Sequence, residues 1–261
     1  MNDGQISISR AEQALEKGAA EEAVRILKRL LQEQEDDVET RALLGEALVE
    51  AGHLEEAARV LETVVGELPD EYDLQFDLGD VYFELGRPDK ACRVYEDILS
   101  RDPGQTDARV SLGLIHYHQE QMEQAEACYR QALEQDPESA FALHSLGDVC
   151  LATGRDDEAR DCFEKALGLE PENPQAHFNL AEFHYDNDDL VEAEKCCRKA
   201  IALDPDFSFA YLTLGNIYLD QEQIKESLHC FREFLKHEKS PSSKDICAEV
   251  KALIEGLQEG A

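Results

Sequence analysis

The sequence predicts an all-α fold, a solenoid of stacked antiparallel helix pairs, and four recurring columns predict it. A Leu-Gly pair returns every 34 residues, at Leu44-Gly45, Leu78-Gly79, Leu112-Gly113, Leu146-Gly147 and Leu214-Gly215, with Leu180-Ala181 in the remaining slot. A small residue follows each pair in the same register: Ala57, Ala91, Ala125, Ala159, Ala193 and Ser227. Four residues further on stand Leu61, Tyr95, Tyr129, Phe163, Cys197 and Phe231. Prolines close the period at Pro69, Pro103, Pro137, Pro171 and Pro205. A period of this length means a supersecondary unit that buries its apolar face only by stacking on its neighbours.

Each unit reads as two helices. The first runs from just after the proline region to a break such as Gly52, Gly86 or Gly154, where glycine adopts the left-handed conformation that ends helices. The second ends at Leu-Pro, Asp-Pro or Glu-Pro, because proline restricts the residue before it and cannot extend a helix. Glycine inside a helix costs about 1 kcal/mol relative to alanine. Its recurrence at Gly45, Gly79, Gly113, Gly147 and Gly215 therefore implies close approach of the paired helices, with Ala57 and its equivalents opposite and the aromatic column filling the wider gaps. The units run 4–37, 38–71, 72–105, 106–139, 140–173, 174–207 and 208–241. After Pro241 the period stops. Ser242 and Asp245 are spaced as a capping box, and Ile246, Val250, Leu253, Ile254 and Leu257 form one apolar stripe, predicting a helix over 242–261 that caps the seventh unit.

These markers together resemble the tetratricopeptide repeat family, over residues 4–241. The resemblance implies a right-handed superhelix of helix-turn-helix units. There are departures. The first unit has Arg10-Ala11 for Leu-Gly and no proline, although Gly18, Ala23 and Leu27 hold the register. The family's aromatic early in the first helix is replaced by Arg41, Gln75, Arg109, Leu143 and His177, with Tyr211 retaining it. End units have only one neighbour and are expected to be atypical.

Composition bounds the function. The 261 residues hold 58 Asp plus Glu against 25 Lys plus Arg, a formal charge of −33. Such a surface repels phosphate backbones and anionic lipid, so nucleic acid and membrane insertion are not expected, and basic partners are favoured. Solubility, or life at high salt, explains the same excess equally well. The start of the chain lacks a basic segment followed by an apolar run, and no stretch approaches the roughly 20 apolar residues of a membrane helix. With eight cysteines and no signal peptide, the expectation is a cytoplasmic protein with reduced thiols.

Catalytic, metal and cofactor chemistry finds no support. Cys128, Cys162, Cys196 and Cys230 share the 34-residue period. Equivalent positions lie on the order of 10 Å apart in a helical stack, beyond the roughly 7 Å of a disulfide and the roughly 2 Å of zinc ligation. They read as small apolar packing residues. His116, Cys150 and His184 share another column and are separated in the same way. No phosphate loop, HExxH helix, GxSxG elbow or CxxC pair occurs, so no catalytic residues, cofactor or metal are assigned and enzymatic activity is not expected.

The resemblance implies that first helices line a concave groove receiving a protein or peptide segment. At the family's inward positions this chain places Glu12, Glu46 and Asp80, with Glu39, Asp73 and Phe76 beside them, then Asp107, Val110, Leu114, Tyr117, Phe141, His144 and Asp148, then Phe178, Glu182, Tyr185, Phe209, Leu212 and Asn216. The groove is expected to be acidic towards its N-terminal end and more aromatic towards its C-terminal end. The subclass that clamps chaperone C-terminal tails uses lysine, asparagine and arginine where this chain has Ile8, Glu12, Leu43, Asp73 and Asp77, so those tails are disfavoured. The expectation is a non-enzymatic adaptor or scaffold binding a basic segment with apolar anchors. The alternative is a self-assembling homo-oligomeric module.

Overall fold

The computed structural model describes residues 3–33, 37–240 and 243–259. Pro241 and Ser242, invoked above for the last repeat and its cap, lie outside them. The contacts divide the chain into two compact units, residues 1–136 and 137–261, each described by itself. The first holds α1 (Asp3–Glu16), α2 (Ala20–Glu33), α3 (Val38–Glu50), α4 (Leu54–Glu67), α5 (Tyr72–Glu84), α6 (Pro88–Arg101), α7 (Thr106–His118) and α8 (Met122–Gln135). The second holds α9 (Ala140–Ala152), α10 (Asp156–Leu169), α11 (Pro174–Asp186), α12 (Leu190–Leu203), α13 (Ser208–Asp220), α14 (Ile224–His237) and α15 (Lys244–Glu259). The fold is all-α, and α1 to α14 form consecutive antiparallel hairpins.

The turns inside the hairpins share one hydrogen-bond pattern. His53 N–H donates to Leu48 O at 2.9 Å, and Arg87, Gln121, Arg155, Asp189 and Gln223 repeat that bond to Tyr82, His116, Cys150, His184 and Tyr218. This is the six-to-one bond of a Schellman motif, whose preceding residue is left-handed. Gly18, Gly52, Gly86 and Gly154 supply φ between +67° and +72°. Where the period offers no glycine, Glu120, Asp188 and Glu222 take φ of +59°, +60° and +60°. The register imposed by the stack overrides the local preference of these acidic residues.

In four hairpins the helical glycine faces an aromatic ring, at Gly79, Gly113, Gly147 and Gly215, and in the second hairpin Gly45 faces Leu61. A Cβ at Gly147 would lie 2.5 Å from Cε1 of Phe163, one at Gly79 2.5 Å from Cζ of Tyr95, and one at Gly215 2.6 Å from Cδ1 of Phe231. The ring that was expected to fill a gap elsewhere is therefore the group for which the glycine makes room. Ala181, standing where the glycine is missing, is paired in the register with Cys197 instead of a ring, and both are fully buried. The first hairpin makes the same adjustment with Ala11 and Leu27, again both fully buried.

The column that departs from the family's early aromatic has a shared role. Gln75 Nε2 donates to Pro69 O at 2.9 Å, Arg109 Nη2 to Pro103 O at 2.8 Å and Tyr211 Oη to Pro205 O at 3.2 Å, while His177 Nε2 lies 2.9 Å from Pro171 O. Each ties a first helix to the proline carbonyl six residues upstream, where the preceding helix has ended. These contacts lie near the surface, where a hydrogen bond contributes about 0.5–1.5 kcal/mol, and four different side chains supply it.

The thiols lie in the packing layers. Cys150, Cys162, Cys196, Cys197 and Cys230 are buried, and Cys92, Cys128 and Cys247 half-buried. Burial pushes the Cys197 thiol far up and that of Cys230 up to about 11, which suppresses the reactive thiolate. At the end of the chain, Val250 of α15 is buried against Phe231 and Phe234, with Ile246, Leu253, Ile254 and Leu257 partly covered around it. The apolar stripe thus lies on α14.

Candidate functional site

First helices of neighbouring hairpins touch one another directly, α3 with α5 in the first unit and α11 with α13 in the second. The resemblance implies that such first helices line the concave side of the stack. The inward positions of these helices therefore form the candidate surface within each unit.

In the first unit the structure gathers the acids around a residue absent from the expected binding set. Asp77 is half-buried on α5, and its carboxyl is pushed up to about 6, by burial first and then by Glu46, Asp80 and Asp73. Glu46 is itself pushed up by burial and by Glu50 one helical turn away. Asp80 accepts a hydrogen bond from Tyr95 Oη at 2.5 Å, and the Tyr95 ring lies 5.8 Å from that of Phe76. The ring that fills the glycine space thus also holds the Asp80 carboxylate in place. Glu12 and Asp107 are exposed, and Tyr117 is half-buried with its ring edge-on to His118 at 6.0 Å.

In the second unit His144 and Asp148 lie one turn apart on α9, with Nε2 and Oδ2 separated by 3.4 Å. An ion pair at that distance would lower the carboxyl and raise the imidazole. Burial dominates and moves both the other way. His144 is held down to about 4, and Asp148 is pushed up to about 7, with Glu182 of α11 adding repulsion. The imidazole is therefore neutral at pH 7 and the contact is not a salt bridge. Glu182 is raised by burial and then by Asp186, while Tyr185 Oη donates to Asp220 Oδ2 at 2.7 Å. Carboxylates on α9, α11 and α13 thus recur along one face.

Two expected groove aromatics separate sharply. Phe178 is only 7% exposed and packs on Phe207 with ring centroids 5.1 Å apart, so it belongs to the core. Val110, from the same column, is likewise buried. Phe141 is 57% exposed, and Phe209 lies edge-on to Phe234 at 5.8 Å with part of its ring in solvent. Asn216 and Leu212 are half-buried.

Beside Phe141 a cleft of about 490 Å³ opens between α9, α10 and α11, and Phe141, His144, Phe163, Glu170, Asn173, Gln175 and Asn179 contribute to its lining. Asn179 Nδ2 lies 2.8 Å from His144 Nε2, and Asn179 Oδ1 accepts from Gln175 Nε2 at 2.7 Å. Sequence reading named Phe141 and His144 but missed the amides, because Asn and Gln are ordinary residues on a polar helix face. Among the described residues no group of three or more His, Cys, Asp or Glu is placed to hold a metal ion. Nor is any helix there long and apolar enough to cross a membrane.

Family-level sequence models described as tetratricopeptide repeat match residues 14–73, 51–109, 105–169, 146–206 and 196–229. The chain belongs to the tetratricopeptide repeat family. Its fold is similar to that of a tetratricopeptide repeat protein from Parabacteroides merdae, with a TM-score of 0.81 at 18% identity over 98% of this chain and 100% of that one. It is also similar to yeast Tom70, with a TM-score of 0.70 at 16% identity over 93% of this chain and 59% of that one. MamA from Desulfovibrio magneticus aligns at 24% identity and a TM-score of 0.59 over 66% of this chain and 97% of that one. These likenesses, all below 25% identity, are likenesses of fold. No curated protein matches the sequence.

Proposed function

We propose that this repeat protein is a non-enzymatic adaptor or scaffold that receives a basic segment of a partner protein on its inner helical face. The observation that carries the reading is the crowding of carboxylates on adjacent first helices, where Asp77 meets Glu46, Asp73 and Asp80, and Asp148 meets Glu182. Like charges held together raise one another's affinity for protons. A lysine or arginine side chain arriving there replaces the proton and relieves the repulsion, whereas a second acid adds to it. Chaperone tails ending in a carboxylate are accordingly disfavoured. Exposed aromatic surface at Phe141 and Phe209 supplies apolar anchor points, which dominate affinity in interfaces where charge mainly governs encounter and selection.

The assembly context of a fold neighbour agrees with an interaction role: a chain of the Cut9–Hcn1 hetero-tetramer is similar with a TM-score of 0.71 at 15% identity, covering 92% of this chain and 48% of that one. Seven repeats over 4–241 with a cap at 242–261, acting in the cytoplasm, complete the proposal. The test is a titration of the full chain with a lysine- and arginine-rich peptide by fluorescence anisotropy. Charge reversal at Glu12, Glu46 and Asp80 weakens binding, as does raising the salt. Unchanged affinity in the triple variant refutes the acidic face as the binding site. Sedimentation over a concentration series separates this reading from self-assembly, which requires the sedimenting mass to rise with concentration.

A further inference from the structure

We propose that the cleft between α9, α10 and α11 is a pocket for an arginine side chain of the segment seated on the inner face. The inference rests on the interaction reading above and adds the identity of one anchor residue. It stands on three features of the lining.

The first is charge. Glu170 is the one acidic residue of the lining, and neither lysine nor arginine contributes to it. His144 adds no positive charge near neutrality, because burial holds its imidazole down to about 4. An anionic ligand therefore finds a carboxylate and no cation.

The second is the direction of the hydrogen bonds. Asn173 Nδ2 donates to Glu170 Oε2 at 2.5 Å, and Asn173 Oδ1 accepts from the Gln175 backbone N–H at 2.9 Å. Gln175 Nε2 donates to Asn179 Oδ1, and Asn179 Nδ2 is placed against the His144 ring. Each of these three amides spends a donor within the protein. Glu170 Oε1 and Gln175 Oε1 are left without a hydrogen-bond donor among the described residues. The pocket thus offers acceptors and asks for donors. A guanidinium carries five N–H donors and no acceptor, in a planar fork suited to a carboxylate. A purely apolar side chain would strip water from both oxygens without replacing it.

The third is the walls. The ring of Phe141 is 57% exposed at the rim, and Phe163 and Ala166, both buried, lie at the base. An arginine stem covers such apolar surface while its head reaches polar groups, and the guanidinium plane stacks on an aromatic face. A lysine ammonium matches the charge but neither the fork nor the stacking surface.

The test uses three lysine-flanked peptides that differ at one central position, holding arginine, lysine or citrulline, titrated against the full chain at low salt. The arginine peptide binds roughly tenfold more tightly than the other two, the factor expected for one charge-assisted hydrogen-bonded contact. Glu170→Gln and Phe141→Ala, both at exposed positions, weaken the arginine peptide most and bring the three peptides to within about twofold of one another. Their thermal melts are compared with the unmodified chain to show that the fold persists. Equal binding of arginine and lysine peptides overturns the pocket and leaves the acidic inner face standing. An arginine preference that survives both substitutions also overturns it, since the preference then arises elsewhere. Failure of all three peptides to bind overturns the pocket and the interaction reading together.

Discussion

Gly147 on α9 and Phe163 on α10 occupy one space: a β-carbon on the glycine would lie 2.5 Å from Cε1 of the ring. The ring is buried, and His144 and Phe183 lie against its other edges at 5.4 and 6.0 Å. The glycine therefore fixes the seat of a ring that also forms the base of the cleft beside Phe141. Gly147→Ala is expected to destabilise the chain by about 1–3 kcal/mol through overpacking. In a Phe163→Cys background the same substitution is expected to stabilise by up to about 1 kcal/mol, the helix preference of alanine over glycine, reproducing the Ala181 and Cys197 pair. Urea unfolding of the four variants gives the coupling directly, and additive effects would show that the pair is independent.

The left-handed turn residues give a prediction of opposite sign. Glu120, Asp188 and Glu222 hold φ near +60°, a conformation costing roughly 1–2 kcal/mol for residues with a β-carbon. Replacing each by glycine is expected to stabilise by about 0.5–1 kcal/mol after the extra entropy of the unfolded chain is subtracted. Gly154→Ala, at the same position of another hairpin, should destabilise by about 1 kcal/mol. Thermal melts of the four single variants test this, and a loss of stability at all three acidic positions would contradict it.

Much of this architecture is legible in the sequence because a stacked repeat writes its contacts at a fixed interval. The helix bounds, the turn at Gly52 and its equivalents, and the stripe of α15 all follow from periodicity. Gln75, Arg109 and His177 looked like departures, because nothing these side chains share with Tyr211 announces a bond to the proline carbonyl six residues earlier. Phe141 and Phe178 were equally plausible as groove residues. Neighbouring inward positions of a first helix differ in how far the next hairpin covers them, so Phe178 is enclosed by Phe207, Ala200 and Ala210 while Phe141 stands out. Asp77 escaped the binding set because its importance comes from three acids on two helices, a property of the fold.

His144 and Asp148 make opposing contributions to stability with pH. The Asp148 carboxyl rises from 3.8 to about 7 on folding, so between those values the unfolded chain has lost a proton that the folded chain keeps, and stability falls as pH rises. The His144 imidazole drops from 6.5 to about 4, so across that window the unfolded chain binds the extra proton and stability rises with pH. The two slopes nearly cancel. Solvent reaches 25% of the His144 side chain and 37% of that of Asp148, which holds each slope well below the limit of about 1.4 kcal/mol per pH unit for a single proton. Asp148→Asn should leave a rising slope between pH 4 and 6.5, and His144→Gln a falling one between pH 4 and 7. Denaturant midpoints across that range decide the matter, and identical profiles for both variants would refute the assignment.

The central claim, that crowded carboxylates on the inner face receive a basic segment, also makes a statement about protons. A bound cation lowers the carboxyls of Asp77 and Asp148 from about 6 and about 7, so binding releases protons and tightens as pH rises from 5.5 to 8. The measurement is calorimetric titration of the full chain with a lysine- and arginine-rich peptide at both pH values, in buffers of different ionisation enthalpy. The account predicts tighter binding at pH 8, a net release of protons between those limits, and loss of affinity as salt is raised. Equal affinity at both pH values with no proton release, or binding undiminished at high salt, would contradict it.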